Sequence, residues 1–482
     1  MASMTQFMTQ RFSLFIIGYF VLQIMIRLLT TNIAVLDESE QIMLSQYFSW
    51  GYNEQPPLYT WVQMVVFEFF GISIFGLTLL KNGLLCLTYL FVYKLGLLLM
   101  NDRLKASLSA LSLMLIPQFV WDAQVDQTHT ILLTTATTVC IYYFFKIALK
   151  EDSLFSFVMF GLASGIGLNA KYNFVLVLVA LAVVAWMIKE FRYKIYQKAL
   201  CLSFGIAFLM VLPHFLWFIS HLDTATERTL NRMNVGHTHN AWLNFAKGIF
   251  DLFISCIAFL TPFWLIFIGL FRKNFTFKWD NNVKAFIGYM AIIFIFLFLM
   301  IALSGSTHIK ERWLQPYLFL VPLFLFLHVE IMEEKNISCY LQWAIIAPII
   351  VALVVLIRPF VIDMRGKPTR ASYPFDILAH SITQNIPSNA PLLIHAEDKY
   401  IGGNLKLFIP NALVITSSLP NQLYALRDTV ITVWENERPL LFLKTLEEQV
   451  YQCSDDKAQI LFKNSKKLTY SVQYVVCIKE SK

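Results

Sequence analysis

The chain has 482 residues, 57% of them hydrophobic and only 14% charged, with 43 phenylalanines, a formal charge of +7 and a mean hydropathy of +0.60. So little charge on so apolar a chain excludes an ordinary soluble protein and predicts a polytopic α-helical membrane protein. The positive charge is scattered over short loops and forms no single basic patch, which leaves nucleic-acid binding unsupported.

From Phe12 to about Val35 the sequence is apolar for long enough to cross ~30 Å of hydrocarbon at ~1.5 Å per residue. No small-residue cleavage site follows, so the segment is expected to be retained. The next stretch, Leu36 to Trp61, opens with Asp37, Glu38 and Glu40 and returns to acid at Glu54 before Pro56-Pro57. Acids in a loop between two apolar helices either solvate it or form a site. Ile42, Met43, Tyr47, Phe48 and Trp50 recur at roughly helical spacing, predicting an amphipathic helix on the membrane surface that holds the carboxylates in place. Each proline locks its own φ and pushes the preceding residue toward extended geometry, so Glu54 is expected on a stiff corner.

An Asp-Glu pair just after the first membrane helix, then an acid before Pro-Pro-Leu and an aromatic, resembles the first extracytoplasmic loop of the GT-C glycosyltransferases that use polyprenyl-phosphate sugars. The similarity is greatest to the bacterial subgroup related to the lipid A aminoarabinose transferase and, more distantly, to the protein O-mannosyltransferases. It implies a GT-C fold and assigns Asp37 as the base that takes a proton from the acceptor hydroxyl, in a single displacement that inverts the anomeric centre. Glu38 completes the acidic pair, and Glu54 matches the second motif's acid, which orients substrate or a cation. Glu40 serves either the site or the solvation of the surface helix. Gln55 stands where the aminoarabinose transferases usually carry a lysine near the donor phosphate, and a neutral amide cannot supply that charge. Gln55 and Tyr59, the aromatic after Pro-Pro-Leu, are candidates for substrate binding.

A short, interfacial apolar piece is expected at 61–75. Further spans are predicted near 76–99, 106–121, 128–148, 154–169, 173–188, 199–220, 249–271, 285–304, 314–330 and 341–358, about eleven with the first. Lys and Arg in the short loops at Arg103-Leu104-Lys105, Lys189 to Lys198, Arg272-Lys273 with Lys278 and Lys284, and Lys335 all fall on one side if the N-terminus is cytoplasmic. The acidic loop and the tail beyond Arg358 then face the extracytoplasmic side of the inner membrane.

Asp122 and Asp126 lie where a span opens on that outer side. They either cap a helix or approach the acidic loop, and the resemblance favours Asp126 for the second role. His129 is read as a satisfied interface histidine. Lys171, at an outer helix boundary, either snorkels or meets phosphate. Arg228 and Arg232, then Lys310 and Arg312, add cations on the acidic loop's side, and together these residues suit an anionic lipid headgroup. His237 and His239 form a His-x-His pair with no third ligand nearby, a weak metal signal. No cofactor is required; a divalent cation is compatible with the acids but has no ligand pattern behind it.

Cys86, Cys140, Cys201 and Cys256 fall in or beside apolar spans, and Cys339 lies near a cytoplasmic loop. Cys453 and Cys477 share the polar tail and are candidates to pair. From about Asp363 the chain alternates short apolar runs with polar turns, predicting a small α/β domain. The division is therefore a transmembrane glycosyltransferase domain over 1–360, with its catalytic loop at 36–61, and a small soluble extracytoplasmic (periplasmic) α/β domain over 361–482. Lys399 to Pro410 is similar to a stretch found in that family's tail domain. The expected partners are a polyprenyl-phosphate-sugar donor, an envelope lipid (lipid A) or glycan acceptor and membrane lipids, with a protein acceptor as the alternative. A transporter or lipid flippase, or a noncatalytic polyprenyl-lipid binder, is the competing reading.

Overall fold

Long apolar runs cannot hydrogen-bond to lipid, so their backbone groups must pair within the segment, and helices result. The computed structural model describes residues 10–149, 153–225, 240–330, 332–364, 370–384, 386, 391–417, 427–436, 438–448, 451–462 and 467–479. Among them, seven helices are long and apolar enough to cross a membrane, and two bent pairs raise that to nine. The seven are Phe12–Thr30, Ile74–Met100, His129–Leu149, Lys198–Ser220, Ala241–Leu260, Asn281–Ser304 and Glu334–Arg358. The bent pairs are Arg103–Leu115 with Gln118–Asp126, at 73°, and Phe174–Met187 with Lys189–Ile195, at 117°. Of the eleven spans expected, the one near 154–169 is a 15-residue helix, Leu154–Leu168. The one near 314–330 is two short helices, Glu311–Leu318 and Val321–Leu327. That near 249–271 breaks between Leu260 and Phe263, where Pro262 offers no N–H and bars its neighbour from helical geometry.

The chain divides into two compact units. The first comprises Met1–Gln23, Ser49–Tyr59 and Lys81–Ala352. Its most enclosed span is His129–Leu149, 83% buried over its apolar window. The hydroxyls of Thr134, Thr135 and Thr138 donate to carbonyls four residues back, which lets a threonine-rich helix sit in an apolar bundle. Helices Leu154–Leu168 and Lys198–Ser220 touch backbone to backbone at Gly161, where an added Cβ would lie 2.7 Å from the Ser203 Cα.

The second unit comprises Ile24–Phe48, Thr60–Leu80 and Leu353–Lys482. It contains the expected α/β fold: strands β1 (Leu392–Ala396), β2 (Leu413–Thr416), β3 (Thr429–Trp434), β4 (Tyr451–Leu461) and β5 (Thr469–Lys479), in the order β2-β1-β3-β5-β4. β1 pairs in parallel with β2 and β3, while β5 runs antiparallel to β3 and β4. All five β1 residues are buried, as befits a central strand covered on both faces. Helices Phe375–Thr383 and Lys399–Phe408 pack on one face, and Leu440–Glu448 on the other. Cys453 and Cys477 stand opposite each other on β4 and β5 and form a disulfide. The same unit holds the short helix Leu36–Leu44, whose Met43 joins the core of the sheet's first face.

Candidate active site

Three acids of the first polar stretch lie on the helix Leu36–Leu44, Asp37 and Glu38 in its first turn, where carboxylates complement the helix dipole. Glu38 is 1% exposed. Its Oε2 accepts from Arg27 Nη2 at 2.9 Å and from the Val35 N–H at 3.2 Å, closing the helix's amino end. Arg27 also donates to the Thr31 and Ile33 carbonyls at 2.7 and 2.8 Å, so one guanidinium fixes the turn by which the chain leaves its first long helix. Glu40 is ion-paired with Lys399. Asp37 is partly exposed. Glu38 and Glu40 thus hold the segment that carries Asp37.

The expected surface helix through Trp50 ends instead at Leu44. Ile42 and Met43 are 0% and 2% exposed, while Phe48 and Trp50 remain 55% and 48% exposed. The apolar face is covered by protein: Lys399–Phe408 lies across it, with Gly402 against Met43 and Gly403 against Ser39. At Gly403 an added Cβ would be 2.4 Å from the Ser39 carbonyl oxygen. Asn404, fully buried, accepts from the Ala34 N–H at 2.8 Å and donates to the Ala34 carbonyl at 3.0 Å and to Ser39 Oγ at 3.2 Å. Thr60 Oγ1 donates to Gln41 Oε1 at 2.8 Å, and Gln46 exchanges two bonds with the Val414 backbone. Asp37 therefore stands on a helix clamped from several sides, the preorganisation a catalytic carboxylate needs.

The remaining predicted residues belong to the first unit. Glu54 is 8% exposed, and Gln55 closes a turn through its N–H to Asn53 Oδ1 at 2.9 Å. After Pro56-Pro57 the Leu58 N–H donates to the Asn169 carbonyl at 3.2 Å, anchoring the stiff corner. Burial, with the Glu54 carboxylate adding, pushes the Tyr172 hydroxyl well above its usual range. That hydroxyl lies 3.2 Å from His214 Nε2, and His214 Nδ1 lies 2.8 Å from the Trp50 carbonyl. A carbonyl only accepts, so Nδ1 carries the proton, and Nε2 accepts a hydrogen bond from the Tyr172 hydroxyl. His214, missed in the sequence because it lies within an apolar span, thereby ties down the loop that carries Glu54.

Tyr59 is 1% exposed, and its ring meets that of His129 at 5.4 Å. Next to His129, Thr130 Oγ1 accepts from Lys171 Nζ at 2.8 Å. Tyr59 and Lys171 thus gather at the amino end of the His129–Leu149 helix, where the dipole is positive. Asp122 makes no capping bond at the turn it precedes and is electrostatically coupled to Glu311, Arg312 and Asp126. Lys310 precedes the helix that carries both Glu311 and Arg312. A second missed residue is Lys81, only 2% exposed within the span Ile74–Met100 and 3.5 Å from the Gln124 carbonyl. A buried lysine inside a span is costly and marks function by default. It was concealed because Lys81 and Lys94, the two charges of this 27-residue helix, leave it strongly hydrophobic on average. Arg228, Arg232, His237 and His239 lie outside the described residues. Among the described residues no group of three or more His, Cys, Asp or Glu is placed to hold a metal ion.

Residues 54–217 match the family model for dolichyl-phosphate-mannose-protein mannosyltransferases. Two relatives from Rhizobium johnstonii align along most of the chain. The lipopolysaccharide core galacturonosyltransferase RgtA is 31% identical over 442 residues, 88% of this chain and 86% of the relative. Its counterpart RgtB is 30% identical over 429 residues, 86% of this chain and 85% of the relative. Among solved structures, ArnT of Cupriavidus metallidurans bound to undecaprenyl phosphate superposes with a TM-score of 0.61, covering 96% of this chain and 97% of that one. Its identity is 12%, so that match speaks for the fold alone.

Proposed function

The chain belongs to the GT-C superfamily of membrane glycosyltransferases, and from that premise we propose that it moves a uronic acid from a polyprenyl-phosphate carrier onto the sugar core of an envelope lipopolysaccharide. The observation that carries the reading is 31% and 30% identity, along most of the chain, to two galacturonosyltransferases of a lipopolysaccharide core. The undecaprenyl phosphate bound by the ArnT of the same fold supports the choice of carrier. Reaction on the extracytoplasmic face of the inner membrane fits the lysines and arginines of the short loops, which mark the opposite side as cytoplasmic.

In this reading an acceptor hydroxyl attacks the anomeric carbon of the donor while Asp37 removes its proton. The bond from that carbon to the phosphate oxygen breaks, and polyprenyl phosphate departs with the electron pair. The new glycosidic bond has inverted configuration. Glu38 and Arg27 hold the Asp37 helix. Glu54 orients the transferred sugar through its hydroxyls, with Tyr59 in the same role, and Asp126 assists as a second acid. With the neutral Gln55 at the motif's cation position, the departing phosphate needs other positive charge. Lys171 and the buried Lys81 supply it, joined by Lys310, Arg312, Arg228 and Arg232 on the lipid headgroup.

The test is transfer by purified protein from polyprenyl-phosphate galacturonate to a core-containing lipopolysaccharide, read by mass spectrometry as a uronate-sized gain. Loss of a general base costs about 100-fold or more, so Asp37→Asn is expected to fall by at least that factor while inserting normally, and Glu40→Gln to be milder. Full activity in Asp37→Asn would remove the assignment. A gain with a neutral sugar donor and none with the uronate would replace the proposed sugar.

A further inference from the structure

The soluble fold carries a cavity of about 380 Å³ that plays no part in the chemistry above. Asp376, His380 and Thr383 line it from one face of the helix Phe375–Thr383, Asn411 from the loop before β2, and Phe408 and Leu392 supply apolar wall. Its volume lies in the range of small-ligand sites. Lys406, buried behind this wall, donates to the Pro410 and Ala412 carbonyls at 2.6 and 2.8 Å, so the loop presenting Asn411 is fixed from within.

The lining has a specific character. A carboxylate, an imidazole, a hydroxyl and an amide offer acceptors and donors side by side, beside an aromatic ring and aliphatic side chains. That combination suits a ring polar at its edge and apolar on its face, which describes a pyranose. Among the described residues one aspartate and no lysine or arginine line the cavity, a lining that favours a neutral occupant over phosphate or uronate. Its position is equally informative. Phe408 ends the helix Lys399–Phe408, whose Gly402-Gly403-Asn404 segment clamps the helix bearing Asp37. Phe408 follows Asn404 by four residues of helix, a rise of ~6 Å, so one rigid element of a single compact unit links the two places.

We propose that this cavity is a subsite for a neutral sugar of the acceptor glycan, holding it while a neighbouring residue is modified. This deepens the function proposed above and rests on its glycan acceptor. Binding is read by saturation-transfer NMR on the full chain in nanodiscs, with the methyl glycosides of glucose, galactose, mannose and N-acetylglucosamine, and of galacturonate as the charged comparator. At least one neutral glycoside is expected to take up saturation at least three times as strongly as the galacturonate. Asn411→Ala, at an exposed position, and Asp376→Asn are each expected to lower that signal at least threefold, and Asp37→Asn to leave it intact. With whole lipopolysaccharide as acceptor, Asn411→Ala should raise KM at least threefold with kcat within twofold. No uptake by any neutral glycoside overturns the proposal. So does galacturonate binding as strongly as they do, or a signal that neither cavity variant lowers. The NMR result does not depend on turnover, so failure of the transferase reading and failure of the subsite are told apart.

Discussion

Glu38 and Asp37 are adjacent acids with different fates. Glu38 is turned inward, 1% exposed, and pairs with Arg27, whose side chain is half-buried at 12% exposure. Removing one partner of a buried ion pair leaves the other uncompensated, at a cost of roughly 3–5 kcal/mol. Arg27→Met is therefore expected to lower the thermal midpoint of the purified protein by several degrees. Arg27→Met with Glu38→Gln should regain most of that loss, because the stranded charge is gone. An Arg27→Met protein as stable as wild type would show that the pair carries no such weight. At this scale the sequence was legible in part. Acids flanking a first membrane helix stand out by charge alone, yet nothing local tells a capping carboxylate from a reactive one. That distinction depends on Arg27, eleven residues upstream inside an apolar segment. Lys81 and His214 were hidden for the same reason, as single polar residues within runs whose average remains hydrophobic.

Elements read from periodicity fared according to how local their determinants are. Seven long spans are visible as runs of apolar residues, and four of the tail's strands as short apolar stretches between polar turns. By contrast β4, whose Gln452 to Lys457 are polar and exposed, gives no such signal and is held by its pairing with β5. The partner of the acid helix was not visible, because Asn404 reaches Ala34 across 370 positions of sequence. Gly402 and Gly403 are where that approach is decided. A methyl group at 403 would need space already held by the Ser39 carbonyl at 2.4 Å and its Cα at 2.6 Å. These are backbone atoms, so the helix must move as a body. Gly403→Ala is expected to reduce transfer at least tenfold with membrane insertion preserved. Gly205→Ala, where nothing lies within 4 Å of the new atom, should leave it unchanged. A fully active Gly403→Ala enzyme would mean that the position of the acid helix does not control the reaction.

On the scale of the whole chain, the proposed sidedness has a chemical test in one covalent bond. Disulfides persist in oxidising compartments and are rare in the cytosol. The Cys453–Cys477 bridge joins β4 to β5 in the same compact unit that contains the helix bearing Asp37, so the compartment of the bridge is also that of the proposed base. Hydropathy alone could not provide this, since it locates spans without saying which side each end faces. Loop charges proposed an orientation, and the bridge gives it an independent chemical test. The chain has seven cysteines, of which Cys86, Cys140, Cys201, Cys256 and Cys339 are free. Protein denatured straight from cells in which thiol exchange has been quenched by acid should therefore take up five polyethylene-glycol maleimides before reduction and seven after it. Seven without reduction would place the sheet in a reducing compartment and the acid helix with it, reversing the proposed orientation. The bridge closes a loop across 24 positions, for which chain entropy predicts about 3.5 kcal/mol of stabilisation. Cys453→Ser should accordingly lower the thermal midpoint of the oxidised protein, and adding reductant to wild type should reproduce that loss without adding to it in the variant.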